Sequence, residues 1–432
     1  MIFVHGSLAL GGVETFFIRM AKERLKRGLK TTIVLLSDES SSNPDLLSEA
    51  RKYASVYFIS DLLFFGGFLT KILPPHAYFF LPLNMNKVFN IFHNAEHVHV
   101  SCGWCAVFSF IFFKKLGENI PLSIGLYHSL EFVWKGLDKN LPYFEMVNRK
   151  IFFNILSDKN IIFFNDNMIN FYNSHNKRDF SKVNLFPLGV ISKNTIVNQS
   201  MERPNDNHSI RICSVGRLEY FKKYNLWMVD VVANLKQHGC KVIYDIYGNG
   251  TLYNEINNKI NTLGLSDNIS LRGNLDYSKF CSTIMQYDLF IGSGTAIVEA
   301  AGLGIPSIIG IENIETPQTY GFFCDIKGFS YNEDGMPQDK VGVEELIYNY
   351  MKLNDNEIAS LSEKNKNKAE LFSIESCVDN FNGISLREID ISSVKNESSL
   401  IGRIRYACSL FLYSIRCRMS GKTLSSVVRE SP

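Results

Sequence analysis

The sequence predicts an α/β protein of two doubly wound units, each a parallel sheet covered by helices. Three observations carry that expectation. Short apolar runs alternate with helix-length periodic stretches in both halves of the chain. A length of 432 residues fits two or three domains. A polar stretch, Ser192–Ser209, holds four asparagines and one proline, separates the two series and reads as a linker.

The first series of strand-like runs is Ile2–Val4, Thr31–Leu36, Val56–Ile59, His97–Val100, Leu122–Leu126 and Asn160–Phe164. The second is Ile210–Val215, Lys241–Tyr247, Ile269–Leu271, Leu289–Gly292 and Pro306–Ile309. Stretches of helical period lie between them, among them Val13–Arg27, Leu226–His238, Leu252–Leu263 and Ala296–Gly304. Ligands of such sheets bind outside the carboxyl ends of the strands. Two units on one linker would face each other across a cleft, with a site built from both lips. The expected boundaries are an N-terminal Rossmann-like domain at 1–195 and a C-terminal Rossmann-like domain at 209–372. A terminal helix at 373–389 packs back toward the N-terminal domain, and a basic amphipathic extension covers 390–432.

Composition excludes several classes. Apolar residues make up 46% and charged residues 20%, which supports a large core and rules out a disordered or collagen-like chain. With 45 basic and 43 acidic residues, nothing in the overall charge points to nucleic acid. No Lys or Arg precedes Arg19 and no small-residue cleavage site follows an apolar core, so a secretory signal is not expected. The uncharged stretch His97–Phe113 has 17 residues, short of the roughly 20 that span a bilayer. Nine scattered cysteines, an odd number, fit reduced thiols and a cytoplasmic location.

The segment Asp390–Pro432 has seven basic and three acidic residues. Its apolar centre, Tyr406–Ile415, lies between Arg403 and Arg405 on one side and Arg416 and Arg418 on the other. Two readings stay open. One is a helix docked on the body. The other is an interfacial anchor that contacts anionic lipid through 400–418, at the inner face of the cytoplasmic membrane.

Four stretches could carry chemistry. In Ile291-Gly-Ser-Gly-Thr-Ala-Ile-Val-Glu299 a strand enters a small-residue turn and a helix begins near Thr295. The first amides of a helix have no internal partner and its dipole makes that end positive, so Gly294 and Thr295 mark a phosphate-binding end. Glu299 lies one turn in, on the same face, where a carboxylate can accept from a ribose diol. In Val215-Gly-Arg-Leu-Glu-Tyr-Phe-Lys222, Arg217 and Lys222 follow a strand and could neutralise a departing diphosphate. Gly11 and Gly12 place bare amides at another helix start. His128 ends a strand and could hydrogen-bond a substrate hydroxyl. Each stretch alone also has a plain structural reading.

Two other constellations compete. Cys102-Gly-Trp-Cys105 sits between a strand and an apolar helix, the setting of a redox pair, although two idle thiols fit it better. His97 and His99 share a strand face without a third ligand nearby, which favours a structural role over metal binding.

The order of these pieces resembles family-four (group 1) retaining glycosyltransferases of the GT-B class. It runs Gly11-Gly12-Val13-Glu14, a strand ending in His128, Val215-Gly216-Arg217-Leu218 with Lys222, Tyr247-Gly248-Asn249-Gly250, and the stretch from Gly292 to Ile308. Phe186-Pro-Leu-Gly-Val190 and Leu271-Arg-Gly-Asn274 add to it, and the resemblance covers roughly residues 1 to 385. It implies two Rossmann-like domains, a nucleoside-diphosphate sugar as donor substrate, and a saccharide or lipid-linked acceptor. Transfer would go to an acceptor hydroxyl with retained configuration, in bacterial surface polysaccharide or glycolipid assembly, with no cofactor. It implies further that Arg217 and Lys222 bind the diphosphate and Glu299 the ribose. Gly11, Gly12 and His128 would approach the donor phosphate and sugar, while Gly248, Gly273 and Asn274 would surround the base. No Asp-x-Asp occurs. The metal-dependent GT-A class usually carries that motif, so its absence agrees with Arg217 and Lys222 acting in place of a metal.

There are two departures. The family's first motif glutamate would fall at position 291, which is Ile291, and Gly310-Ile-Glu-Asn-Ile-Glu-Thr-Pro317 replaces its usual Gly-Gly…Glu segment. Ile291 keeps a second function open, a non-catalytic nucleotide-sugar-binding or scaffold protein on the same fold.

Overall fold

The structure, a computed structural model, describes residues 1–9, 11–134, 141–175, 178–193, 209–421 and 427. Most of the expected linker, 194–208, lies outside the described residues. The chain divides into two compact units, one of Met1–Pro187 with Cys377–Pro432 and one of Leu188–Ser376.

The first unit holds a seven-stranded parallel sheet. Its strands are β1 (Ile2–His5), β2 (Thr32–Leu35), β3 (Ser55–Phe58), β4 (Val98–Val100), β5 (Leu122–Leu126), β6 (Ile161–Phe163) and β7 (Asn184–Leu185). They lie in the order β3-β2-β1-β4-β5-β6-β7, all in parallel register. The central strands read as unbroken apolar runs because both faces are covered, and Phe3, Val4, Ile33, Val34, Ile124 and Leu126 are fully buried. Sequence periodicity does not foresee the chain between β3 and β4. It forms short helices Ile59–Leu62, Gly66–Ile72 and Met85–Phe92 around a 3-10 turn, Pro75–Phe80.

Two C-terminal helices complete this unit. From the helix Ile374–Gly383, Phe381 meets the rings of Phe3, Phe16, His99, Phe164 and Phe186. The terminal helix Leu400–Met419 buries Tyr406, Leu410, Tyr413 and Cys417, spaced as one helical face, in the same core. The docked reading of the extension therefore holds. Its opposite face is also apolar: Ile401, Ile404, Phe411, Leu412, Ile415 and Met419 are exposed. No helix of the described residues is long and apolar enough to cross a membrane.

The second unit holds β8 (Ser209–Val215), β9 (Lys241–Tyr247), β10 (Ile269–Gly273), β11 (Leu289–Gly292) and β12 (Ser307–Ile309). These five parallel strands take the order β10-β9-β8-β11-β12. Leu188–Lys193, expected with the N-terminal domain, belongs to this unit. The amides of Val190 and Ile191 both donate to the Phe372 carbonyl, and Ile374 N–H donates back to Ile191. Each sheet reverses its order once, between β1 and β4 and between β8 and β11, the switch points where doubly wound sheets bind ligands.

Asn160, fully buried, ties β5 to the C-terminal segment. Its Nδ2 donates to Leu122 O (2.7 Å) and Arg387 O (2.8 Å). Asn160→Ala leaves two carbonyls short of a donor and should cost roughly 1–3 kcal/mol in urea unfolding of the whole chain.

Candidate functional site

The turns at the carboxyl ends of β8, β9 and β10 are stitched together through backbone. Gly216 N–H donates to Tyr247 O, Leu218 N–H to Asn249 O, Leu252 N–H to Leu218 O, and Gly248 N–H to Gly273 O. Gly248 has φ +148°, and a Cβ there would fall within the van der Waals shell of the Gly216 carbonyl. Glycine at 248 is therefore what lets the β8 and β9 turns touch.

This stitching fixes the loop that carries the two predicted cations. Arg217 Cζ and Lys222 Nζ each lie 5.8 Å from the Phe221 ring centroid. Lys222 Nζ is also 3.3 Å from the point where a Gly216 Cβ would stand. Among the described residues neither cation forms an ion pair, whereas the adjacent Lys223 is paired with Glu315. The Phe221 carbonyl accepts from Asn313 N–H (2.8 Å), which anchors the loop to the chain after β12. Tyr224 Oη is buried without a hydrogen-bond partner among the described residues and sits 4.0 Å from the same Gly216 Cβ position. An anionic oxygen above the turn would satisfy that hydroxyl.

The neighbouring strand supplies the second half of the site. β11 pairs directly with β8, so their turns emerge about 4.8 Å apart. Gly294 caps the helix Thr295–Gly302 with φ +65° and ψ −145°, a conformation open only to glycine, and no side chain caps the first turn. Nothing lies within 4 Å of a Gly294 Cβ position. The result is an uncapped, accessible helix start beside two unpaired cations. Glu299 follows one turn in, partly exposed and near Cys281, whose thiol its charge helps to raise. Gly273, with φ +70°, and exposed Asn274 stand at the end of β10, two strands from β8.

Sequence reasoning missed a carboxylate pair around the Ser293–Gly294 turn. Glu312 Oε1 accepts from Ser293 Oγ–H (2.8 Å), and Glu312 N–H donates to Asn332 O (2.8 Å). Glu333 Oε2 accepts from the amides of Tyr331 and Asn332, each at 3.2 Å. Tyr331 Oη–H then donates to Gly294 O at 2.9 Å. The only sequence signal was Glu312 in the segment that departs from the family. Ile291, on β11 itself, is fully buried in the core, so a carboxylate at that position would be placed in apolar packing.

The remaining predicted residues belong to the first unit. Gly11 is the N-cap of the helix Gly12–Lys26 and takes an extended φ of −172° that any residue adopts. Gly12 is exposed. A Cβ at Gly11 would meet the Glu14 carboxylate, which also lies 3.5 Å from His5 Nε2. His128 follows β5 and its Nδ1 accepts from Leu130 N–H at 3.2 Å. The structure thus gathers Arg217, Lys222, Gly248, Gly294, Thr295 and Glu299 on one sheet edge, and Gly11, Gly12 and His128 on the edge of the other sheet.

The competing constellations take structural roles. Cys102 Sγ and Cys105 Sγ lie 3.3 Å apart as free thiols, and burial pushes Cys105 well above its ordinary pKa, opposite to an activated thiol. His97 Nε2 and His99 Nδ1 both hydrogen-bond Ser123 Oγ, at 2.6 and 2.8 Å. Burial holds His97 down to about 3. Among the described residues no group of three or more His, Cys, Asp or Glu is gathered for a metal ion.

No family model and no curated protein matches this chain. Solved structures do. One is HepE from Anabaena in complex with UDP and glucose, at TM-score 0.58 and 16% identity over 88% of this chain and 97% of that one. A glycosyltransferase from Rickettsia africae matches at 0.58 and 16%, covering 89% and 97%. WaaG, a glycosyltransferase involved in lipopolysaccharide biosynthesis, matches at 0.54 and 12%, covering 89% and 100%. The chain has the GT-B fold. At these identities the likeness is one of architecture: two Rossmann-like units, with strand orders that place the switch points as described.

Glu333 gives the GT-B chain a pH signature. Burial pushes its carboxyl up to about 7, and the charge of Glu312 adds to the shift. An unfolded glutamate titrates near 4.3, so between about pH 4.5 and 7 the native state holds the extra proton and stability falls as pH rises. Glu145, raised to about 7 by burial in the first unit, acts in the same direction. Glu333→Gln should therefore lose one of the two contributions. Buried His97 and His99, held below their ordinary range, act in the opposite sense below about pH 6.5 in both proteins. The readout is therefore the difference: the melting temperature of Glu333→Gln relative to wild type should rise from pH 5 to pH 7.5, read by circular dichroism.

Proposed function

We propose that this chain is a retaining glycosyltransferase that moves a sugar from a nucleoside-diphosphate donor to an acceptor hydroxyl, in the assembly of cell-surface polysaccharide or glycolipid. The observation that carries the reading is the pairing of two unneutralised cations, Arg217 and Lys222, with the uncapped helix start at Gly294–Thr295. The HepE complex with UDP and glucose, and the part of WaaG in lipopolysaccharide biosynthesis, agree with it.

In this reading the diphosphate lies over Gly216 and Gly294. The bond between the anomeric carbon and the diphosphate oxygen breaks, and its electrons leave with the diphosphate. Negative charge grows there, so the cations and helix amides bind the transition state more strongly than the ground state. The acceptor oxygen attacks on the face just vacated and its proton passes to the departing phosphate. A short-lived oxocarbenium-like ion pair replaces any covalent enzyme intermediate. Arg217 and Lys222 do the work of a metal ion, Glu299 holds the ribose, Gly248, Gly273 and Asn274 border the base, and Gly11, Gly12 and His128 meet the donor sugar. Transfer should survive EDTA.

The predicted consequence is a split between variants. Arg217→Ala and Lys222→Ala should each lower kcat by roughly 10²-fold or more, and Glu299→Ala should chiefly weaken nucleotide binding. Titration with UDP, GDP and ADP, with donor hydrolysis assayed in parallel, checks this and fixes the base. Full activity in all three variants would refute the assignment. The buried Ile291 favours a second reading, a binding or scaffold protein. Nucleotide binding without turnover over a broad panel of donors and acceptors would establish it.

We place the acceptor's work at a membrane surface. The outward apolar stripe of the helix Leu400–Met419 is flanked by exposed Arg405, Arg416 and Arg418, none of them ion-paired among the described residues, while Arg403 turns inward and donates to Phe79 O. Apolar contact with basic margins suits anionic lipid. Leu412→Glu, on the exposed stripe, should reduce pelleting with phosphatidylglycerol vesicles several-fold and leave nucleotide binding unchanged. Equal pelleting of the two proteins would remove the membrane contact.

A further inference from the structure

The first unit holds a cavity of about 390 Å³ between the terminal helix and the carboxyl ends of β4 and β5. That volume is within the range of sites for small organic ligands. Trp104, from the helix that follows β4, and Trp134, from the loop after β5, form one side. Phe144 and Tyr406 close the interior, and Leu410, Phe411 and Ile415 of the terminal helix form the other wall. The position matters, because doubly wound sheets bind ligands outside the carboxyl ends of their strands and β4 borders the switch point with β1. The chain segment that lines it at Glu131 and Trp134 begins at His128.

Three of the polar groups at depth, Tyr406, Asn148 and Glu145, are already matched to one another. Tyr406 Oη–H donates to Asn148 Oδ1 at 2.8 Å, and Asn148 Nδ2 donates to Glu145 Oε2 at 3.3 Å. Glu145 is ion-paired to buried Arg149 at 2.8 Å, and Arg149 also donates to Trp134 O at 2.6 Å. A polar ligand would find no open partner in this set, whereas a hydrocarbon would find aromatic walls. Two carboxylates, Glu131 and Glu145, also disfavour an anion at depth. The mouth has the opposite character. Arg418 is exposed, and His76, whose ring is tilted against Phe411 with centroids 4.6 Å apart, stands close enough to feel the Arg418 charge. Phe411 and Ile415 belong both to the cavity wall and to the outward stripe, so a chain leaving a bilayer would enter without crossing water.

We infer that this cavity holds the hydrocarbon chain of a single-chain lipid phosphate, the carrier of the acceptor, with its phosphate held at the mouth by Arg418. The inference rests on the proposed transfer to a membrane-borne acceptor and names the chemistry of that acceptor's anchor. Arg418 supplies the charge complement to the phosphate and His76 a ring N–H. The buried end of the chain lies against Trp104 and Trp134, two of the three tryptophans in the sequence.

The test uses the full-length protein and dodecyl phosphate below its micelle concentration, with dodecanol and inorganic phosphate as references. Dodecyl phosphate should shift tryptophan emission saturably and bind at least ten-fold tighter than dodecanol, while inorganic phosphate leaves the emission unchanged. Ser414→Phe, which fills the cavity from the terminal helix, should weaken dodecyl phosphate at least ten-fold without changing vesicle pelleting. Arg418→Ala should bring dodecyl phosphate down to the affinity of dodecanol. Absence of saturable binding, or binding indifferent to Ser414→Phe, overturns the inference. Displacement of dodecyl phosphate by phosphatidylglycerol vesicles also overturns it, because the cavity would then belong to bulk membrane lipid. UDP, GDP and ADP binding measured on the same samples separates the two failures. Retained nucleotide binding with no chain binding removes only the lipid cavity, and loss of both removes the transfer reading as well.

Discussion

An unneutralised positive edge at the switch point of the second sheet governs the arrangement of that unit. Among the described residues two neighbouring cations lack acidic partners and a helix start lacks a side-chain cap, so like charges and open amides stand together there. A capping side chain alone would contribute about 1 kcal/mol. The fold accepts this because the turns that bear these groups are fixed by other means. Backbone hydrogen bonds stitch the β8, β9 and β10 turns together, and the Asn313 amide holds the Phe221 carbonyl from the far side. The Gly294 carbonyl is held from below by Tyr331. The amides and cations are thereby oriented before any ligand arrives, which is the condition for electrostatic stabilisation without reorganisation.

The carboxylates beneath the turn complete this logic. Glu312 holds Ser293, while Glu333 is occupied by two backbone amides and is raised toward neutrality. A fully charged pair directly under the proposed diphosphate site would oppose the anion. Below about pH 7 a mostly protonated Glu333 keeps the hydrogen-bonded scaffold and removes one of the two negative charges.

Legibility of the fold followed burial. Strands covered on both faces appear as unbroken apolar runs, so β1, β5, β8, β9 and β11 could be placed within a residue or two. The region 59–92 could not, because four short elements leave no period long enough to detect. β7 has two residues and no pattern at all. In the site, the residues carried by glycine turns were visible because close backbone approach permits few alternatives, as at Gly248 and Gly294. The Glu312–Glu333 pair was not. Its members are brought together by loop geometry after β12, and two isolated glutamates leave no spacing to recognise.

The terminal helix shows why one sequence supported two readings. A helix with one apolar face has to choose between a protein core and a membrane. This one has apolar residues on both faces and arginines at the margins between them, so its amphipathic signal is weak although both surfaces are well defined. The inner face is not dispensable. Burying Leu410 alone is worth roughly 2 kcal/mol, and Tyr406, Tyr413 and Cys417 are buried beside it. Removing residues 390–432 would open the core of the first unit and would confound a lost membrane contact with a damaged fold. Only substitutions confined to the outer stripe separate the proposed membrane contact from the packing role of the helix, because residues such as Leu412 and Ile401 are exposed and lie outside the buried core.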